Sequence, residues 1–271
     1  MSRVVLITGA SGGLGEVLAP NLADRSFRVY GTMRDPARHK PDARVTMLPM
    51  EITDPHSVAD AVGSVLERES RIDVLINCVN EMFIGSVEET SVEEVQSLYD
   101  TNVFGVLRVC KQVLPVMRRQ GGGTIVNMSS LGGLLAVPYM SAYTSAKFAL
   151  EAASEVLYHE VKRDGIAVVI MQPVAMRMDR PATGAHLRLV AGVTPDSPSH
   201  RMVERMARDT AASGLTPQQV ADKICSVITR EKKPLRVPMD KARAVSVLKR
   251  LAPQSVIDRL VGGLLEEPHS N

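Results

Sequence analysis

Val4-Val-Leu-Ile-Thr8-Gly9-Ala10-Ser11-Gly12-Gly13-Leu14-Gly15-Glu-Val-Leu-Ala19 begins three residues into the chain. A short apolar, β-branched run enters a glycine turn, and a helical apolar pattern follows at once, so the segment reads as strand, turn, helix. Glycine permits a tight turn and lets the backbone approach a ligand, while the helix start offers unpaired N–H groups and the positive end of the helix dipole. The turn therefore suits a pyrophosphate. Its spacing is Gly-x-x-x-Gly-x-Gly rather than Gly-x-Gly-x-x-Gly, and such a turn is also met in plain strand–helix connections.

Working outward, short β-branched runs alternate with longer helical patterns. Strands are expected at Val4–Thr8, Arg28–Thr32, Val45–Pro49, Val74–Asn77, Thr124–Met128, Ala167–Met171 and Leu235–Val237. Helices are expected at Gly13–Arg25, Pro55–Glu69, Val92–Arg119, Ser141–Arg163 and Pro217–Arg230. Several strands are apolar throughout, as in a parallel sheet buried on both faces. The pattern predicts an α/β fold: one doubly wound domain over residues 1–271, with about seven parallel strands and helices on both faces. Two regions break the alternation. Residues 174–215 hold Pro181, Pro195 and Pro198 with a short amphipathic stretch at Met202, Val203 and Met206, and read as a binding-loop insertion. Residues 240–263 read as two small helices bearing Arg243, Lys249, Arg250 and Arg259, which pack on the body or a partner, or lie on a membrane surface.

The 271 residues carry a net charge of only +2, which gives no argument for a nucleic-acid partner. The three cysteines, Cys78, Cys110 and Cys225, fit neither a disulfide framework nor a metal site, and point to a reducing cytoplasm. No apolar run is long enough to span a membrane, and glycines interrupt the first strand–helix unit too early for a signal peptide.

Tyr143-Thr-Ser-Ala-Lys147 lies thirteen residues after Ser130, but Tyr158-His-Glu-Val-Lys162 lies thirteen after Ser145. Geometry separates the two copies. Ser145 and Tyr158 share one predicted helix and would stand about 20 Å apart. Ser130 instead follows a predicted strand, and Gly132, Gly133 and Pro138 let the chain turn back to Tyr143 in a first helical turn. Lys147 lies one turn further on the same face. The first copy can present a phenol, a cation that tunes it and a hydroxyl to one substrate oxygen. Taken singly, the three are also compatible with a cap, a packed aromatic and a solvated charge.

Choice of cofactor rests on the loop after the second strand. An acid there accepts from a ribose 2′-hydroxyl, whereas arginine suits a 2′-phosphate. Met33 occupies the expected acid position and Arg34 follows, favouring NADP(H) over NAD(H). The alternative is a solvated Arg34 paired with Asp35.

These residues together resemble the short-chain dehydrogenase/reductase family over nearly the whole chain, most nearly its retinol and 17β-hydroxysteroid dehydrogenase branch. The resemblance implies a Rossmann-type fold and a dinucleotide held by Gly9, Ser11, Gly12, Gly13, Leu14 and Gly15. Arg34, Glu51, Ile52, Asn77, Cys78 and Val79 would line its adenosine half; Pro173, Val174, Tyr143 and Lys147 its nicotinamide half. It also implies catalysis by Ser130, Tyr143 and Lys147, with Asn102 of Asn102-Val-Phe-Gly105 holding a proton-relay water. Three stretches depart from the family: Asn77-Cys78-Val79-Asn80 lacks a glycine, Pro173-Val174 replaces Pro-Gly with Met178 following, and Glu51 replaces aspartate.

The expected activity is ketone or aldehyde to alcohol interconversion, with Tyr143 as general acid and base and its pKa lowered by Lys147 and the oxidised nicotinamide. A lipophilic substrate is expected from the adaptable side chains of Met82, Phe83, Met140, Met176 and Met178, with Leu131 and Leu134 nearby. Non-redox chemistry on the same fold, or a non-catalytic cofactor binder, are the competing readings. The resemblance implies a homodimer or homotetramer, paired through the helices at Val92–Arg119 and Ser141–Arg163.

Overall fold

A computed structural model describes residues 2–38, 42–177 and 187–263. Strand β1 (Val4–Thr8) is buried throughout and pairs in parallel with β2 (Arg28–Met33) and β4 (Val74–Asn77). With β3 (Val45–Pro49), β6 (Gly123–Met128), β7 (Ile166–Gln172) and β9 (Arg236–Pro238) they form a seven-stranded parallel sheet, ordered β3-β2-β1-β4-β6-β7-β9. The chain reverses its winding across β1 and β4, so a crevice opens beyond their carboxyl ends.

The apolar strands are explained by the two layers that cover them. Val4 and Leu6 face a cluster with α2 (Pro55–Glu69), α4 (Val106–Arg119) and α5 (Ser141–Val161). Val5 and Ile7 face the opposite cluster, with α1 (Gly13–Asp24) and α7 (Pro217–Ile228). Each buried Leu or Ile contributes about 1.5–3 kcal/mol, so both faces of β1 hold helices in place.

Three features differ from the plain alternation. The predicted helix at Val92–Arg119 is α3 (Val92–Tyr99) and α4 joined by a π turn at Asp100–Gly105. A second, two-stranded sheet pairs β5 (Met82–Ile84) with β8 (Leu187–Leu189) in parallel. The insertion also carries α6 (Pro198–Ser213), longer than the short stretch expected, capped by the Ser197 side chain. The final strand is followed by α8 (Lys241–Leu251) and α9 (Gln254–Gly262), where two small helices were expected.

Candidate active site

The turn after β1 is held by features only glycine allows. Gly9 and Gly13 adopt left-handed φ of 68° and 54°, and a Cβ on Gly15 would collide with the Gly9 carbonyl oxygen. Gly12 is the N-cap of α1 and has no side chain to cover the helix start. The Thr8 hydroxyl accepts from the Cys78 N–H at 3.1 Å and the Val79 N–H at 3.4 Å, joining the β1 and β4 loops.

Several residues expected at the adenosine half are engaged elsewhere. Asn77 turns into the helix layer, donating to Asn127 Oδ1 at 2.8 Å, and Asn127 donates to Ser154 Oγ at 2.9 Å. Its side chain stitches β4 to β6 and α5 rather than facing the crevice. The Glu51 carboxylate accepts from the Thr53 N–H at 3.1 Å and hydroxyl at 2.9 Å, within its own loop. Ile52 is buried against the π turn, where a Cβ on Gly105 would lie 2.8 Å from Ile52 Cγ1. Val79 lies against Gly9 of the glycine turn and is partly buried against the core. Arg34 is exposed and makes no ion pair among the described residues, because Asp35 pairs with Arg38 at 3.7 Å. The pairing of Arg34 with Asp35 is therefore not formed.

Ser130, Tyr143 and Lys147 come together beyond β6. Ser130 caps the turn Leu131–Gly133, its Oγ accepting from the Gly132 N–H at 3.1 Å, and its hydroxyl lies near enough to the Tyr143 phenol to favour the ionised form. A Cβ on Gly132 would lie 3.2 Å from the Tyr143 ring, so glycine lets the ring settle there. Lys147 is 1 % exposed, with Nζ 5.6 Å from the Tyr143 ring centroid, and donates to the Met128 carbonyl at 2.9 Å. The second copy is not a site. Ser145 is exposed and bonds the Ala142 carbonyl of its own helix, while Tyr158 packs between Lys162 and His159.

Electrostatics differ from expectation at the tyrosine. Burial pushes the Tyr143 phenol up, with the Ser130 hydroxyl opposing. Burial pushes Lys147 down to about 7, against opposing pulls from Cys78 and Glu151. Burial likewise holds the Cys78 thiol up at about 12. The protein's own groups thus do not lower the Tyr143 pKa. A buried lysine loses its charge too easily to do so alone.

Asn102 is held by its own side chain. It is fully buried in the π turn, and its side chain accepts from the Glu81 N–H at 2.8 Å and donates to the Glu81 carbonyl at 2.7 Å. The amide clamps the entry to β5. Pro173 accepts from the Leu131 N–H at 2.9 Å, tying the β7 loop to the Ser130 loop, and half-buried Val174 follows.

Met82 and Met140 pack with Tyr143, joined by Val203 and Met206 of α6. Phe83 does not line this space; it is buried with Leu98, Ala142 and Ala146, and Arg188 lies 4.8 Å from its ring centroid. Met176 packs towards the α1–α7 cluster, and Met178 falls outside the described residues. Sequence reasoning missed Glu151. This buried acid, one turn beyond Lys147, receives Gln172 Nε2 at 2.8 Å and Arg236 Nε at 2.9 Å. An acid at i+4 from Lys147, on the helix's apolar face, was the available signal.

The residues present fit a dinucleotide. Left-handed glycines open the turn at a helix start, and the buried Lys147 ammonium has two N–H donors with no partner among the described residues. Comparison with known proteins agrees. Residues 3–183 match the family model for short chain dehydrogenase. The chain is 34 % identical over 239 residues to a 3-ketodihydrosphingosine reductase of Bacteroides thetaiotaomicron, covering 86 % of each. It is 33 % identical over 205 residues to estradiol 17-beta-dehydrogenase 1 of Rattus norvegicus, covering 70 % of this chain and 58 % of that one. A solved short-chain dehydrogenase from Streptomyces avermitilis superposes with TM-score 0.83 at 30 % identity, covering 96 % and 95 %. The glycine turn after β1, the Ser130–Tyr143–Lys147 grouping beyond β6 and this shared ancestry lead to one conclusion: the chain is an oxidoreductase belonging to the short-chain dehydrogenase/reductase family.

Proposed function

We propose that this chain interconverts a ketone or aldehyde and an alcohol on a lipophilic substrate, using NADP(H) in preference to NAD(H). The carrying observation is the buried Tyr143 phenol, beside the Ser130 hydroxyl and backed by Lys147. A phenol so placed, beside a hydroxyl and an ammonium, can pass a proton to and from a substrate oxygen.

The cofactor, when bound, supplies or accepts the hydride and, in its oxidised form, a positive charge. Tyr143 gives its proton to the substrate oxygen in reduction and takes it back in oxidation. Ser130 holds that oxygen beside the phenol. Lys147, with two unused N–H donors, would hold the cofactor's ribose hydroxyls, and Gly9, Gly12, Gly13 and Gly15, with Ser11 and Leu14 completing the turn, would make room for its pyrophosphate. Arg34, exposed and without an ion pair among the described residues, would hold the 2′-phosphate. Asn102 acts as a positioning residue through Glu81. The substrate lies along Met82, Met140, Val203 and Met206, so the insertion serves as its cover. The sphingoid and steroid substrates named for two similar proteins support a lipophilic one here.

Titrating the protein with NADPH and with NADH while following cofactor fluorescence tests the cofactor reading; tighter binding of NADH would overturn the preference. Tyr143→Phe is expected to lower kcat at least ~100-fold, the scale of general acid–base catalysis, with NADPH affinity retained. Near-normal turnover would remove Tyr143 from its role. The chain is further proposed to pair through α3–α4 and α5, which expose Phe104, Leu107 and Val156. A monomer mass by light scattering would refute that. Three free cysteines suit a reducing, cytoplasmic setting.

A further inference from the structure

The α8–α9 extension presents an apolar ridge to solvent. Leu251 is 80 % and Val247 57 % exposed, one helical turn apart, and Val256 and Leu260 repeat that spacing on α9. The same segment, residues 241–263, holds five cations against one acid, in a chain whose whole net charge is +2. Alongside, a cavity of about 370 Å³ opens between α7, β9 and α8. Lys223, Arg230, Arg236 and Arg243 line it, and Val247 forms its outer wall. Arg236 is held by Glu151 and Glu155, but Lys223 and Arg230 have no acidic partner among the described residues.

Charge and apolarity together select the occupant. A second copy of this face would set these cations against their own equivalents, which repel across a two-fold contact. Free phosphate would satisfy the cavity and leave the ridge in water. Residues 241–263 contain no aromatic side chain on which a nucleic-acid base would stack. We propose that the α8–α9 ridge is a peripheral docking surface for an anionic lipid bilayer, with lipid phosphates in the basic cavity and the ridge residues in the acyl boundary. Both features match an interfacial helix: an apolar face flanked by Lys and Arg. Lys249 of α8 bonds the Leu134 carbonyl and lies 4.5 Å from the Phe148 ring centroid, so docking brings the loop after Ser130 beside the membrane. The proposal stands independently of the redox reading.

Vesicle co-sedimentation of the full chain tests it. Equimolar phosphatidylcholine–phosphatidylglycerol vesicles are expected to carry the protein down, pure phosphatidylcholine vesicles are not, and raised salt should release it. Leu251→Glu, at an exposed position, should abolish sedimentation with an unchanged thermal midpoint. Lys223→Gln with Arg230→Gln should weaken it about 25-fold, at roughly fivefold per cation. Failure to sediment with the anionic vesicles overturns the proposal, as does undiminished binding by Leu251→Glu. Thermal stabilisation by inorganic phosphate without vesicle binding would overturn it in favour of a free anion. An oligomer split by Leu251→Glu, again without vesicle binding, would overturn it in favour of a second copy.

Discussion

An ammonium buried to the extent of Lys147 is costly unless its donors are met, and among the described residues it meets one acceptor, the Met128 carbonyl. Its pKa falls from 10.5 to about 7. The folded pKa lies below the unfolded one, so between these values the unfolded chain binds the extra proton. Stability therefore rises with pH across that window, and below about pH 7 the folded protein bears the full cost of burying the charge. Lys147→Met should remove that cost. We expect it to be inactive yet more stable at acidic pH by at least ~1 kcal/mol, roughly 2–4 °C in Tm, with the margin shrinking as pH rises. Melting curves across pH check this; a less stable variant at acidic pH would show that Lys147 is comfortably solvated. The burial behind this balance was not legible beforehand. The sequence places Lys147 one turn from Tyr143 but does not say how deeply β6 and the Leu131–Gly133 turn enclose it, and enclosure is what raises the phenol's pKa instead of lowering it.

The principal strands and helices were legible because two-sided burial writes long apolar runs and α5 writes a continuous helical stripe. What escaped was short or silent in that pattern. Strands β5 and β8 have three residues each and pair across more than a hundred positions, too little for a periodicity to register. The π turn keeps the apolar face continuous through Val103 and Val106, so a helix from Val92 to Arg119 and the observed interrupted one read alike. Asn102 within that turn supplies both hydrogen bonds to the Glu81 backbone, and β5 starts at the next residue. Asn102→Ala is expected to cost about 1–3 kcal/mol, since it removes both of these partly buried hydrogen bonds. Because Met82 of β5 packs with Tyr143, activity should fall with it. Urea titration and assay of the same preparation check both, and unchanged stability would mean that Glu81 finds other partners.

Across the whole molecule, one buried carboxylate connects the catalytic helix to the far edge of the sheet. Glu151 of α5 accepts from Gln172 at the end of β7 and from Arg236 of β9, which also reaches Glu155. The link joins residues 85 apart in sequence, with Glu151 one helical turn beyond Lys147 and Gln172 next to Pro173. Arg236→Ala would leave the buried charge with Gln172 as its remaining partner, at a cost of about 3 kcal/mol. Adding Glu151→Gln removes the charge, so the double variant should regain most of that stability. Equal stability of the single and double variants in urea would show that the pair carries no coupling. A second readout separates charge from packing. Glu151 favours the protonated form of Lys147, so Glu151→Gln alone lowers the Lys147 pKa further below about 7. Cys78 pulls in the same direction as Glu151 and stays in place in this variant, so part of the upward pull on Lys147 remains. If turnover needs the ammonium, the alkaline limb of the kcat profile must move to lower pH in Glu151→Gln. A purely structural role would reduce kcat at every pH and leave the limb where it was.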